Sequence, residues 1–286
     1  MSIVGRIAEI WRYPVKSMHG ESLVQCQLGK LGIHGDRGWA LRDEQTGEIR
    51  GAKKLPELMK MTASYRSEPR ADSIPPADIK LSNGSLLGSD DHDVNARLSD
   101  VLGKSVSLFP RQPASDLDHY RRVVPLTEHE LRELLGRDPD ESLPDLGMFP
   151  PKLLAEIIEF TSPPGTYFDA YPIHLLTTSW LAELGTKNTA SRFEPLRFRP
   201  NFVIDGAADG LAELAWCGRR LRIGDVELDC DIPTVRCGMT TQATGDLPSD
   251  VKVLRTIIRD TEQNVGAYAT VFSGGNIRVG DAVELL

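Results

Sequence analysis

The first hundred residues alternate short apolar runs with glycine-bearing turns. Residues 3–11, Ile-Val-Gly-Arg-Ile-Ala-Glu-Ile-Trp, are rich in β-branched side chains, and residues 23–28 and 38–41 repeat the pattern. Runs of this kind bounded by glycine predict strands, and several in succession predict a barrel or a sandwich. From Ser67 to Asp93 the chain turns polar, with Pro69, Pro75, Pro76 and the run Ser89-Asp90-Asp91-His92-Asp93. That composition predicts loops and poorer order before another short strand at residues 106–109.

The middle of the chain carries a helical period instead. Thr127-Glu128-His129-Glu130 has the spacing of a capping box, Leu131, Leu134 and Leu135 form an apolar stripe, and Gly136 is placed to end the helix. Leu153, Leu154, Ile157 and Ile158 predict a second helix stopped by Pro163-Pro164-Gly165, and a third begins near Thr178 and stops at Gly185. The last third returns to strands at residues 202–205, 221–228 and 277–285, the last a strand pair around a Gly-Asp turn. One helix interrupts them near Pro248-Ser249, with Val251, Leu254, Ile257 and Ile258 on one face. The sum is a mostly β, α+β protein of two parts with a helical insertion between them.

Composition narrows the class. The 286 residues are 40% hydrophobic and 26% charged, and 41 acidic against 33 basic groups leave a net charge of -8. Such a chain folds and buries a sizeable core. Its scattered basic residues lack the positive stripe that duplex nucleic acid or an anionic membrane calls for. No apolar stretch approaches the ~18 residues of a membrane span, and the start runs straight into a strand pattern without a signal-peptide core, so a cytoplasmic location is expected. No phosphate-binding loop, dinucleotide fingerprint, zincin or nucleophile-elbow motif is present, and the six histidines never pair at ligand spacing. Four cysteines, Cys26, Cys217, Cys230 and Cys237, form no C-x-x-C pair; each starts as a reduced, buried, small apolar residue.

Four segments concentrate groups with chemistry. In Tyr13-Pro14-Val15-Lys16-Ser17-Met18 a strand ends at a proline and presents an ammonium, a hydroxyl and fresh backbone N–H groups, all suited to a phosphate. The others are Gly35-Asp36-Arg37-Gly38-Trp39, Arg197-Phe198-Arg199-Pro200-Asn201 and the Pro- and Gly-bounded loop from Pro233 to Thr241. Each also has a plain alternative: solvent for Lys16-Ser17, a local ion pair for Asp36-Arg37, a structural thiol for Cys237. Beside Arg236, however, Cys237 has a cation for a neighbour, which favours a thiolate, the ligand a soft transition metal selects.

In this order and spacing these segments, together with Ile223-Gly224-Asp225-Val226, Arg236-Cys237 and Val279-Gly280-Asp281-Ala282-Val283, resemble the MOSC family, named for the C-terminal domain of molybdenum cofactor sulfurase. The resemblance covers nearly the whole chain. It implies an N-terminal MOSC β-barrel domain over residues 1–110 and a helical insertion with the MOSC β-barrel domain over residues 111–286, the arrangement of the mitochondrial amidoxime-reducing component. It implies Cys237 as the molybdenum ligand and catalytic residue, Lys16 and Ser17 on the phosphate of the pterin, and Arg37, Arg199, Asn201 and Arg236 as further contacts to the molybdenum cofactor. Family-level association with pyridoxal phosphate comes with it.

The activity so implied is reduction of N-hydroxylated compounds such as amidoximes, hydroxylamines or N-oxides. The alternative is a cofactor or sulfur carrier using a persulfide on Cys237. The chain has no ferredoxin-like cysteine cluster and no hydrophobic anchor, so electrons are expected from a separate protein of ferredoxin, flavodoxin or cytochrome b5 type and its reductase, with no nucleic acid and no membrane as partner. Thr234 stands where many relatives carry a cysteine, and Thr241-Gln242-Ala243-Thr244-Gly245 replaces an acidic-Pro-Asp-Thr-Gly segment, departures that bear on substrate preference. Asp205 and His174 are the nearest candidates for a proton donor.

Overall fold

The first strand, Ser2–Arg12 (β1), buries alternate residues as far as Ile7 and resumes at Ile10 after a register shift between Ile7 and Glu9. The computed structural model describes residues 2–207 and 210–286. Glu21–Leu23 (β2) and Gln25–Gly29 (β3) divide what reads in sequence as one run, and Gly32–Ile33 (β4) pairs with β3. Trp39–Asp43 (β5), Ile49–Arg50 (β6), Thr62–Tyr65 (β7), Ala77–Lys80 (β8), Leu86–Gly88 (β9), the helix Val94–Leu102 (α1) and Val106–Pro110 (β10) complete the first module. Its two small sheets, β10-β5-β6 and β7-β8-β9, enclose Val15, Met18, Leu41, Leu58, Ile79 and Leu98. The polar stretch read as loop therefore contains two strands. In β8 the buried Ala77 and Ile79 alternate with more accessible Asp78 and Lys80, a two-residue period too short to stand out among prolines.

Beyond Pro110 the chain turns helical. Leu117–Tyr120 (α2) precedes Glu128–Leu135 (α3), where Thr127 and Glu130 form the full capping box and Gly136 is the left-handed cap. Pro151–Glu159 (α4) ends at Phe160 rather than at the prolines. Ile173–Thr177 (β11) leads into Thr178–Lys187 (α5), which runs through Gly185 to Asn188. Pro195–Phe198 (α6) and Phe202–Asp205 (β12) follow, then the hairpin Arg219–Ile223 (β13) and Val226–Val235 (β14) around Gly224-Asp225. Val251–Thr261 (α7) starts at Asp250, whose side chain caps it, and Asn264–Ser273 (β15), Gly275–Arg278 (β16) and Ala282–Leu285 (β17) close the chain.

One sheet organises the rest. Its order is β12-β11-β15-β14-β13-β17-β1, and β1 pairs back onto β12, so seven strands close a barrel with β2 attached to β1. Ile7, Ile10, Leu175, Phe202, Leu228 and Val283 fill it; each fully buried aliphatic or aromatic side chain contributes roughly 1.5–3 kcal/mol. The first strand of the chain thus belongs to the same barrel as the last. The terminal segment does not form a strand pair: β16 joins β3, while β17 joins β13 and β1. Among the described residues no helix is long and apolar enough to cross a membrane.

Behind β11 sits Glu213, fully buried, with one carboxylate oxygen accepting from the Thr177 N–H and the other without a partner among the described residues. Burial pushes its pKa up to about 7 from an ordinary 4.5, and the hydrogen bonds only partly offset that. The folded chain then holds a proton that the unfolded chain releases, so stability falls as pH rises from about 4.5 through 7 and levels off above. The loss amounts to about 3 kcal/mol at 1.36 kcal/mol per pH unit. Denaturant titrations at pH 5 and pH 8 should show this fall, and Glu213→Gln should flatten it.

Candidate active site

Segments far apart in sequence line one cleft. Arg37 comes from the turn after β4, Asp169 to Tyr171 from the lead into β11, Arg199 and Asn201 from the link between α6 and β12, Arg236 and Cys237 from the exit of β14, and Tyr268 from β15. Counting its open mouth the cleft holds about 600 Å³, a normal size for a small-molecule site. Of the residues singled out from sequence, Arg37, Arg199, Asn201, Arg236 and Cys237 line it, and Lys16 reaches its wall through Asp169. Ser17 does not line it; its hydroxyl accepts from the Ala52 N–H at 2.9 Å.

The backbone marks the same positions. Ser17, Arg37 and Arg199 have φ of 71°, 49° and 55°, left-handed conformations that cost a non-glycine residue on the order of 1–3 kcal/mol and cluster at functional sites. At Arg199 this conformation ends α6 and turns the guanidinium back over the Tyr13 ring, 4.2 Å from its centroid, where Nη1 donates to the Met18 carbonyl at 2.8 Å. Arg37 lies 4.9 Å from the same centroid. Tyr13 is held from both sides of its sequence, its N–H donating to Asp36 at 2.8 Å and its hydroxyl to the Pro200 carbonyl at 2.9 Å.

Asp36 is the hub of this arrangement. Its fully buried carboxylate accepts from Tyr13 N–H, from the Arg37 guanidinium and from Asn201 Nδ2 at 3.0 Å. Asn201 spends its other amide hydrogen on the Trp11 carbonyl at 3.3 Å and its oxygen on the His174 N–H at 3.1 Å. Its side chain therefore fixes the junction of β1, β11 and β12. Lys16, expected to offer a free ammonium, donates to Asp169 at 2.7 Å and to the Tyr167 carbonyl at 2.8 Å. Asp169 is crowded by protein yet 67% of its side chain touches solvent in the cleft; burial would raise its pKa, but Lys16 and Lys53 outweigh that and hold it well below the usual carboxylate range.

In a chain of net charge -8 the cleft is basic: among the described residues Arg37, Arg197, Arg199 and Arg236 line it against the single carboxylate of Asp169. Burial lowers the pKa of Arg199 to about 10 and also lowers those of Arg236 and Lys16, with Arg37 adding to the effect at Arg199 and Lys16. Burial thus works against the charged form of each, so these cationic groups sit in an unfavourable place. Arg199 Nη2 and Arg236 Nε are, in addition, buried donors without a partner among the described residues, each costing roughly 1–3 kcal/mol. An anion rich in acceptor oxygens answers both deficits. Arg197 differs, since its guanidinium is spent on the carbonyls of Thr240, Gln242 and Pro248 and clamps the segment after Cys237.

Cys237 is half-buried where β14 gives way to a short 3-10 turn, Gly238–Thr241, and its carbonyl accepts from Thr240 N–H at 3.2 Å. The preceding Arg236 donates to the Phe198 carbonyl at 2.8 Å and approaches His174 Nε2 at 3.5 Å. Gly266 makes room for that histidine: a Cβ there would stand 2.3 Å from His174 Nε2. Burial first, and Arg236 next, drive the His174 pKa well down and keep the ring neutral. Asp205 is exposed, outside the cleft, and bonded to the Thr178 hydroxyl at 2.6 Å. Neither proton-donor candidate is thus an acid facing the cleft.

Gln263 locks the cysteine loop. With a left-handed φ of 69°, it accepts from Arg236 N–H at 2.8 Å through its backbone, and its side-chain amide donates to the carbonyls of Arg236 at 2.8 Å and Leu135 at 2.7 Å. Its side-chain oxygen accepts from Arg137 at 2.6 Å, tying α3 and the segment after it to the loop. Gln263→Ala removes about 1 kcal/mol per net hydrogen bond from this anchor, and alkylation of Cys237 by iodoacetamide should then run roughly five- to tenfold faster. An unchanged rate would show that the loop is held elsewhere.

Comparison with known proteins finds the MOSC domain at residues 165–284 and the MOSC N-terminal beta barrel domain at residues 4–105. The chain belongs to the MOSC family. The first match carries Asp169, His174, Arg199, Asn201, Arg236, Cys237 and Tyr268 and the second carries Lys16, Asp36 and Arg37, so the cleft of this MOSC protein draws on both. Its relatives include mitochondrial amidoxime-reducing component 1 of mouse, 25% identical over 99% of this chain and 83% of the relative, and of human, 27% identical over the same shares. Mitochondrial amidoxime reducing component 2 of cattle is 26% identical over 98% of this chain and 83% of its own length. Among solved structures, the YuaD protein from Bacillus subtilis aligns with a TM-score of 0.47 at 12% identity, covering 98% of this chain and 94% of that one.

Residue-by-residue reading misses the partners in this MOSC cleft. Asp36 stands in a quoted motif without a role of its own, and Asp169, Tyr171, Gln263 and Tyr268 carry no local signal; Asp169 is 153 residues from the lysine it holds.

Proposed function

We propose that the cleft binds the molybdenum cofactor and that the protein is an oxidoreductase reducing N-hydroxylated compounds, amidoximes, hydroxylamines or N-oxides, to the corresponding nitrogen bases. The observation that carries the reading is the pair of orphaned guanidinium N–H groups, on Arg199 and Arg236, beside the half-buried thiol of Cys237. Arg37, Arg199 and Arg236 would hold the anionic pterin, with Lys16 behind them, and Cys237 would supply the protein sulfur to the metal. When bound, this cofactor supplies two-electron chemistry at a metal that takes up oxygen.

The chain's own residues do the positioning. Asp36 binds both Arg37 and Asn201, Gln263 fixes the backbone on either side of Arg236, and the buried, neutral His174 packs one ring nitrogen between the Val265 carbonyl at 3.4 Å and the Arg236 guanidinium at 3.5 Å. The names of the relatives support the substrate class, and a separate electron-transfer protein with its reductase would restore the metal. The test uses chain produced in cells that make the cofactor, with a reduced viologen dye as electron donor: an amidoxime should be converted to the amidine. Chain from cells unable to make the cofactor should not do so. A molybdenum-loaded protein that leaves amidoximes, hydroxylamines and N-oxides unchanged would overturn the reading.

A further inference from the structure

The cleft has an aromatic wall that the cofactor assignment leaves unused. Tyr171 and Tyr268 both line it, and their rings are stacked with centroids 5.0 Å and planes 15° apart. Phe149 packs against Tyr171 at 6.4 Å, backed by Met148, Leu153 and Ile157 from the helical insertion. This wall is therefore rigid and apolar behind its rings. Its front is different, because neither hydroxyl has a hydrogen-bond partner among the described residues, whereas the buried Tyr13 and Tyr167 donate to the carbonyls of Pro200 at 2.9 Å and Pro110 at 3.0 Å. A phenol with an apolar body and an unused O–H at a cleft is equipped to recognise a ligand by both. Burial pushes the Tyr171 pKa up to about 12, Asp231 adding to it, and raises that of Tyr268 despite Arg236. Both groups stay hydrogen-bond donors through the neutral range.

We infer that Tyr171 and Tyr268 form the specificity wall of this site, selecting flat, aromatic N-hydroxylated compounds that stack on the Tyr268 ring and accept a hydrogen bond from a tyrosine hydroxyl. The inference rests on the proposed reductase activity for the identity of the reacting group, not for the stacking. The basic residues suit the anionic cofactor, so an organic substrate is left the aromatic side. Position, not proton transfer, is the role: both phenols are too weakly acidic to act as acids near neutral pH.

The experiment compares benzamidoxime with cyclohexanecarboxamidoxime, the same reacting group on a flat and on a puckered ring, by titration calorimetry on chain purified from cells that make the cofactor, with no electron donor present. Wild type should bind the flat probe about five- to tenfold tighter, the range that an aromatic pair adds beyond buried area. Tyr268→Leu should erase the preference. Tyr268→Phe and Tyr171→Phe, which keep the stack, should preserve the preference while weakening both probes roughly fivefold, the value of one hydrogen bond. In loaded enzyme the same substitutions should move KM and leave kcat. Equal binding of the two probes by wild type, or a preference that survives Tyr268→Leu in a folded variant, would overturn the wall. Because the binding assay needs no turnover, a chain that prefers the flat probe yet reduces neither would overturn the reductase reading and leave the wall standing.

Discussion

Cys237→Ala should purify without molybdenum and reduce amidoximes no faster than background. Alanine removes the only thiol among the described residues that line the cleft, whose other sulfur is the Met239 thioether, and neither a neutral thioether nor a neighbouring oxygen replaces an anionic thiolate toward such a metal. The fold should survive. Cys237 is half-buried and its structural hydrogen bonds run through its carbonyl to Thr240, which alanine keeps. Melting temperature should therefore move little while metal and turnover vanish together. Cys237→Ser tests the same point more narrowly, since it retains the size and loses the soft ligand. Full metal content and turnover in Cys237→Ala would remove the cysteine from the site.

Asp36→Ala should produce the largest loss of stability among the site residues, on the order of 3–5 kcal/mol, the range for deleting one partner of a buried ion pair. Its carboxylate is fully buried, the Arg37 side chain beside it is 16% exposed, and three donors, Tyr13 N–H, Arg37 and Asn201 Nδ2, would lose this acceptor. Because Asn201 also joins β11 to β1, the damage passes into the barrel itself. The melting temperature should fall by roughly ten degrees for a chain of this size. Asp169→Ala is the contrast: that carboxylate is 67% exposed, and its removal still leaves Lys16 donating to the Tyr167 carbonyl, so the loss should be clearly smaller than at Asp36. Thermal unfolding of the two variants side by side separates a structural carboxylate from a cleft carboxylate; equal losses would refute the distinction.

The parts of the fold written in local pattern are legible. The capping box at Thr127, the β-branched run of β1 and the apolar face of α7 each specify their element within a dozen residues. What escapes is set by tertiary context. All five residues of β11 are buried, so the strand has no alternation and its register is dictated by β12 and β15. In β15, Gly266, Ala267 and Ala269 are small because His174 and the barrel interior press against them, and small residues carry no strand signal. The terminal segment looks like a hairpin because a Gly-Asp turn divides it, yet β16 has a better partner in β3, some 250 residues away by the pairing of Ile277 with Cys26.

The site follows the same division. Cations and the thiol announce themselves by residue type, and Arg37, Arg199, Arg236 and Cys237 do come together. Their counter-groups do not, because Asp36, Asp169 and Gln263 matter only through what the fold sets beside them. Of the three cysteines expected to be plain buried thiols, Cys26 and Cys230 are buried; Cys217 is half-buried at the barrel's edge, its thiol 3.6 Å from the Glu213 carbonyl.

The central claim is that buried cations and one thiol from both halves of the chain hold one molybdenum cofactor. Molybdenum and pterin per chain, measured on protein purified from cells that also load a known molybdenum enzyme, test it most directly. The account predicts both approaching one per chain and both falling in Arg199→Ala, which removes an orphaned donor without touching the cysteine. Neither molybdenum nor pterin above trace, in cells where the reference enzyme is loaded, would contradict it.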